Sequence, residues 1–122
     1  MSNQKVLIID DDVSVSTVVK LTLEDTYDVA TTTCALSAYK YLSEDRVDLV
    51  LLDIKMPRVN GIEALLEIKK RHPETVVVMM TAYASDDNVR NAMNLGAYGF
   101  IRKPFDVDEL RTYVDKVLSG NC

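Results

Sequence analysis

Long apolar runs, basic clusters, paired cysteines and linker-like tracts are all scarce in this chain, and each scarcity removes a class of function. The longest apolar stretches, such as residues 76–80, fall far short of what a bilayer-spanning helix needs. The first residues lack the basic-then-apolar build of a secretory signal, so the cytoplasm is the expected compartment. Lys and Arg number 14 against 19 Asp and Glu, for a net charge of −5, and no basic run interrupts that balance. Direct binding to nucleic acid or to an anionic membrane is therefore not expected. The two cysteines, Cys34 and Cys122, have no CxxC or His-rich context, which argues against a disulfide or a zinc site. With only four glycines and three prolines there is no Gly- or Pro-rich linker, and no internal repeat is visible. One domain over residues 1–122 is the expectation.

What the sequence does contain is an alternation of short apolar runs with longer periodic segments. Strands are predicted at residues 5–9, 27–31, 47–52, 76–80 and 98–102. Helical spacing lies between them: Val15, Val18, Val19 and Leu23; Ala35, Ala38 and Leu42; Ile62, Leu65, Leu66 and the stem of Lys69; Val89, Ala92 and Met93. The last stripe is Val107, Leu110, Val114, Val117 and Leu118. Asp106 and Glu109 before and within it are spaced like a capping box, and Phe105 is placed to staple onto Leu110. Gly96 suits the position that ends the fourth helix. Strands of nearly continuous Val, Ile, Leu and Met that alternate with helices predict an open α/β fold, a five-stranded parallel sheet with five helices on both faces.

In such a sheet ligands bind beyond the carboxyl ends of the strands, near the point where strand order reverses. The first run, VLIIDDD, ends in Asp10, Asp11 and Asp12; the third ends at Asp53, the fourth at Thr81, and the fifth at Lys103 followed by Pro104. Three adjacent carboxylates repel one another and lose hydration near a core, so the arrangement calls for a compensating cation. If the first and third strands are neighbours, their acids meet above one rim. Hard oxygen donors of this kind suit Mg²⁺, with Mn²⁺ as a substitute. A hydroxyl and an ammonium on the other side suit a group rich in acceptor oxygens, such as a phosphoryl group. Asp12 reads either as a solvated loop charge or as the cap of the first helix.

The segments IIDDD, LLDIKMPRVNG, MMTAYA and RKPF, in this order and at these intervals, resemble the receiver domain of two-component response regulators over almost the whole chain. The resemblance implies a flavodoxin-like topology with strand order 2-1-3-4-5. It implies that Asp53 accepts a phosphoryl group from the phosphohistidine of a sensor histidine kinase or phosphotransfer protein. It also implies that Asp11 ligates the metal directly, that Asp10 acts mainly through a metal-bound water, and that Lys55 contributes its backbone carbonyl. Thr81 and Phe100 would form the switch, Lys103 would pair with Asp53 and then with the phosphate, and Lys103-Pro104 would be cis. Lys55 and Tyr83 flank the path of the attacking water and would tune the phosphate's lifetime. The first helix together with the loop after the fifth strand would face the kinase, with Val13, Ser14 and Thr17 as candidate contacts. The fourth helix, fifth strand and fifth helix, including Arg90, Asn94, Tyr98, Arg111 and Tyr113, would face an output domain, a downstream target or a phosphorylation-dependent second copy. Such a domain is not an enzyme beyond its own phosphorylation and dephosphorylation.

Three other readings fit less well. A haloacid dehalogenase-type phosphatase needs a second acid two residues after its nucleophile, where this chain has Lys55, and needs room for a cap domain. A flavodoxin-like cofactor binder needs a Gly- or Ser/Thr-rich cradle after the first strand, where this chain is acidic. An interaction module that keeps the fold without phosphorylation would not need every functional position filled. His72, next to Pro73, reads as a loop residue remote from the site.

Overall fold

In the computed structural model, which describes residues 4–55, 60–82 and 87–119, strand and helix alternate throughout. The elements are β1 (Lys5–Ile9), α1 (Val13–Leu23), β2 (Asp28–Thr32), α2 (Ala35–Glu44), β3 (Leu49–Asp53), α3 (Gly61–Arg71), β4 (Val76–Thr81), α4 (Asp87–Asn94), β5 (Gly99–Arg102) and α5 (Val107–Ser119). The strands form one parallel sheet in the order β2-β1-β3-β4-β5, as the sequence and its resemblance imply.

Period-two alternation splits each central strand between two cores. Leu7, Ile9, Val50, Leu52, Val77 and Met79 pack under Ala38, Leu65 and Val89 of α2, α3 and α4. Val6, Ile8, Leu49, Leu51, Val78 and Met80 pack under α1 and α5 through Val19, Leu23, Leu110 and Val114. Because both faces are covered, the central strands carry no polar alternation, which is why they read as continuous apolar runs.

Helix faces differ in part from the sequence expectation. Val18, Leu66, Met93 and Val107 are exposed, although each belongs to an expected stripe. On α1 the buried line is Ser16, Val19 and Leu23, with Val18 turned off it. This helix is apolar on nearly every side, so periodicity could not select the face. On α3 the buried residues are Gly61, Ala64, Leu65 and Ile68, and Ala64 and Ile68 take the place expected for Leu66.

Helix ends follow local side-chain chemistry. Asp12 is the N-cap of α1 and its carboxylate accepts the Ser14 N–H, which decides between its two readings. Asp106 caps α5 by accepting from Asp108 N–H at 2.7 Å, a simpler arrangement than the expected capping box with Glu109. Phe105 packs on the same core as Leu110, as a staple requires. Gly96 ends α4 with φ 110°, while Gly96 and Ala97 N–H donate to the Met93 and Ala92 carbonyls, the pattern of a Schellman motif.

Candidate functional site

Strand order reverses between β1 and β3, and register places the acids there. Ile9 pairs with Leu52, so the residues that follow, Asp10 and Asp53, stand side by side at the carboxyl rim. One carboxylate oxygen from each of Asp10, Asp11 and Asp53 can lie within 4.8 Å of the others. Thr81 ends β4 and is buried, and its carbonyl accepts the Lys103 N–H at 2.6 Å, which holds the lysine beside the acids. The Lys103-Pro104 peptide is cis.

The rim is built from a repeated local device in which a side-chain oxygen accepts the N–H two residues ahead. Asp10 accepts from Asp12 at 2.9 Å, Asp12 from Ser14 at 2.9 Å, Asp53 from Lys55 at 3.3 Å and Asn60 from Ile62 at 2.7 Å. Asp and Asn favour these turns because a short polar side chain competes with the backbone for its own neighbours. Each strand-end acid therefore shapes the loop that follows it.

Asp10 is fully buried and both its oxygens are engaged, one by the Asp12 N–H and the other by Lys103 Nζ at 2.8 Å. Asp11 between them is exposed and makes no hydrogen bond or ion pair to the described residues. Lys103 pairs with Asp53 at 3.5 Å, as the resemblance implies, and lies nearer still to Asp10. The carboxylate with no exposure to water needs the ammonium more. Burial opposes charge on Lys103, yet the hydrogen bond and charge of Asp10, with Asp53 behind them, hold its pKa above the ordinary lysine value.

Burial, followed by the Asp10 charge, pushes the Asp53 pKa up to about 6 against the pull of Lys103 and of the Lys55 N–H. Three clustered carboxylates thus have one ammonium among them, which pairs with Asp10 and Asp53 only. Their surplus negative charge and hard oxygen donors fit a divalent cation such as Mg²⁺, which Asp10, Asp11 and Asp53 could hold. A raised carboxyl pKa means that the folded protein binds the proton more tightly than the unfolded chain. Asp53 therefore favours folding at low pH, and this contribution is lost as pH rises from 3.8 through about 6. Asp53→Asn, neutral throughout, should stabilise the metal-free protein by on the order of 1–3 kcal/mol above that window and by little below it. Urea unfolding in chelator across pH would show this. An equal difference at every pH would refute it.

Other expected positions fall as follows. Phe100, on edge strand β5, is 38% exposed and so faces outward. Lys55 is exposed at the mouth of the site, and Tyr83 lies outside the described residues. Arg111 does not join the face of α4, β5 and α5. It turns to the loop after α1, where it meets Asp25 at 2.5 Å, Thr26 Oγ1 at 3.0 Å and the Thr22 carbonyl. The reason is local charge, because Asp25 offers a carboxylate there, and beside it Tyr27 donates to Asp115 at 2.5 Å. Tyr113 does belong to that face and lies over Gly99, which has no side chain to obstruct it. His72 closes α3 by donating its N–H to the Ile68 carbonyl, at the opposite end of the sheet from the acids. Sequence reasoning missed Gly61, whose backbone touches the peptide after Asp53. The Asn60-Gly61 pair was its only local sign.

The fold and site together are a doubly wound parallel sheet with an acidic cleft at its switch point and a lysine beside it. Residues 6–115 match the response regulator receiver domain, and the chain belongs to that family. It is 36% identical over 119 residues to sporulation initiation phosphotransferase F of Bacillus subtilis (strain 168), covering 97% of this chain and 96% of that protein. It is 38% identical to the transcriptional regulatory protein ZraR of Klebsiella oxytoca, but there it spans 98% of this chain and 28% of the relative. Among solved structures, a CheY-like receiver domain protein from Methanospirillum hungatei JF-1 superposes with TM-score 0.91 at 31% identity, covering 97% of this chain and 95% of the other. The NtrX receiver domain from Brucella abortus superposes with TM-score 0.89 at 34% identity, covering 95% and 99%. Receiver domains work with histidine kinases and output domains. Among the described residues no helix is long and apolar enough to cross a membrane.

Proposed function

We propose that the 122 residues form one receiver domain in which Asp53 accepts a phosphoryl group from a histidine kinase or phosphotransfer protein. The observation that carries this reading is the meeting of Asp10, Asp11 and Asp53 with Lys103 at the switch point of the sheet. A bound Mg²⁺ would supply charge neutralisation to the phosphoryl oxygens. The chain's own residues do the rest: Asp53 presents a carboxylate oxygen to phosphorus, Lys103 offers an ammonium to the transferred group, and Thr81 offers a hydroxyl to it. The Lys55 carbonyl would be a further oxygen donor to that metal. Lys55 and Tyr83 tune how fast water removes the group. The domain catalyses only its own phosphorylation and dephosphorylation.

The switch is Thr81 with Phe100. Outward Phe100 fits the unphosphorylated state, and burying it would gain apolar contact without a hydroxyl to satisfy. The α1 face with Ser14 and Thr17 receives the kinase. In support, Val13 and Leu21 there are 64% and 66% exposed, and the first turn of α1 carries no acid that an apolar partner would have to desolvate. The face of α4, β5 and α5, with Arg90, Asn94, Tyr98 and Tyr113, serves an output domain, a downstream target or a phosphorylation-dependent homodimer. The compartment is the cytoplasm, where such kinases present their phosphohistidine.

Intact-mass spectrometry after incubation with acetyl phosphate and Mg²⁺ tests the central claim. One phosphoryl mass gain is expected, abolished by Asp53→Ala and by chelator. If neither acetyl phosphate nor a competent partner kinase produces a gain, the domain is an unphosphorylated interaction module.

A further inference from the structure

We propose that Asp12 is a positioning residue for the cation site, acting through the cap it places on α1. This rests on the reading of Asp10, Asp11 and Asp53 as that site. Asp12 is not among the candidate ligands: it is absent from the cluster of three acids, and one oxygen of its carboxylate accepts the Ser14 N–H at 2.9 Å. What it does control is its own peptide. The Asp12 N–H donates to Asp10 Oδ1 at 2.9 Å, and the Asp12 carbonyl receives the Ser16 N–H at 3.2 Å to open the helix.

Of two consecutive bonds, Asp10 to Asp12 spans Asp11, and Asp12 to Ser14 ties the residue after it to the start of α1. They span the turn between β1 and α1, and the extended backbone of Asp12 (φ −87°, ψ 105°) joins them. With the cap in place, the Asp12 N–H keeps one oxygen of buried Asp10 occupied while Lys103 keeps the other. Exposed Asp11 is then presented from a turn fixed on both sides. Without the cap, the first turn of α1 frays and the Asp12 peptide is free to rotate. The Asp10 oxygen and the Asp11 direction then loosen together. Groups that orient ligands without touching the metal typically change its affinity by tenfold or more.

Removal of the side chain is therefore separated from removal of its charge. Dissociation constants for Mg²⁺ and Mn²⁺ are measured by calorimetry on the wild type, Asp12→Ala, Asp12→Gly, Asp12→Asn and Asp12→Ser, with thermal unfolding in chelator alongside. The alanine variant should bind the cation about tenfold more weakly, and the glycine variant, which lacks the side-chain cap but enters a helix more readily, should fall between alanine and wild type. Asparagine and serine, which cap without charge, should return to within about twofold of wild type. Glycine disturbs helix entry least and keeps the test valid if the alanine variant folds poorly. A lowered unfolding temperature with unchanged cation affinity would make Asp12 a stability residue only and overturn the proposal. Asparagine as weak as alanine would overturn it too, because the effect would then be charge. A wild type that binds neither cation would instead remove the metal reading and this proposal with it.

Discussion

Lys103→Ala should destabilise the metal-free protein by about 3–5 kcal/mol at neutral pH, because it strands carboxylates that the fold has already removed from water. Asp10 has no exposed surface and Asp53 is 7% exposed. The ammonium sits 2.8 Å from the first and 3.5 Å from the second. An exposed ion pair would be worth about 1 kcal/mol or less, so the size of the loss separates a buried counter-ion from a surface one. The lysine's pKa is raised on folding. Its stabilisation is therefore fully present below its ordinary value of 10.5 and is lost only as pH rises beyond the folded value. The loss caused by the variant should be smaller in acid. There Asp53, with a pKa of about 6, takes up a proton in place of the missing charge. Adding Mg²⁺ should also recover part of the loss. Urea unfolding in acidic, neutral and alkaline buffers, in chelator and again with Mg²⁺, checks all three outcomes, and a loss under about 1 kcal/mol at neutral pH in chelator would count against a buried counter-ion.

Gly61→Ala should cost about 3 kcal/mol and lower phosphoryl acceptance at the same time. A Cβ at position 61 would lie 2.4 Å from the Asp53 carbonyl oxygen and 2.6 Å from both Cα and O of Ile54. All three are backbone atoms, so no side-chain rotation can relieve the contact. The Gly61 N–H also donates to the Ile54 carbonyl at 2.8 Å, which clamps the start of α3 onto the peptide after Asp53. A shift that admits a methyl group must move that peptide, and the Asp53 carboxylate with it. Gly96→Ala is the control. It suffers from φ 110°, but its Cβ would meet only the flexible Lys69 side chain at 3.5 Å. It should cost about 1 kcal/mol and leave phosphoryl acceptance unchanged. Unfolding and intact-mass measurements on both variants would separate the effects. Equal acceptance in the two would refute the coupling of Gly61 to the site.

Fold and site were legible to different depths. Strand and helix alternation was readable because buried parallel strands must be apolar on both faces, and the five apolar runs match β1 to β5 within two residues at each end. The acids were readable because VLIIDDD and LLD each end an apolar run in charge, which a core does not tolerate without a partner. The buried sides of α1 and α3 were not. Val18, Val19, Leu65 and Leu66 are equally apolar, and only packing against the sheet chose Val19 and Leu65. The direction of Arg111 depended on where Asp25 came to lie after α1, 86 residues away.

Residue types and their order along the chain were enough to place Asp10, Asp11, Asp53, Thr81 and Lys103 on one rim, because parallel strands all end on the same side. Tertiary structure alone decided which of these groups pair. Lys103 pairs with both strand-end acids and sits closer to Asp10, the one with no exposure to water, and burial belongs to the packed molecule and to no local stretch of sequence. Gly61 shows the same limit. Its requirement for a bare Cα comes from a backbone-to-backbone approach that exists only once α3 has docked beside the end of β3.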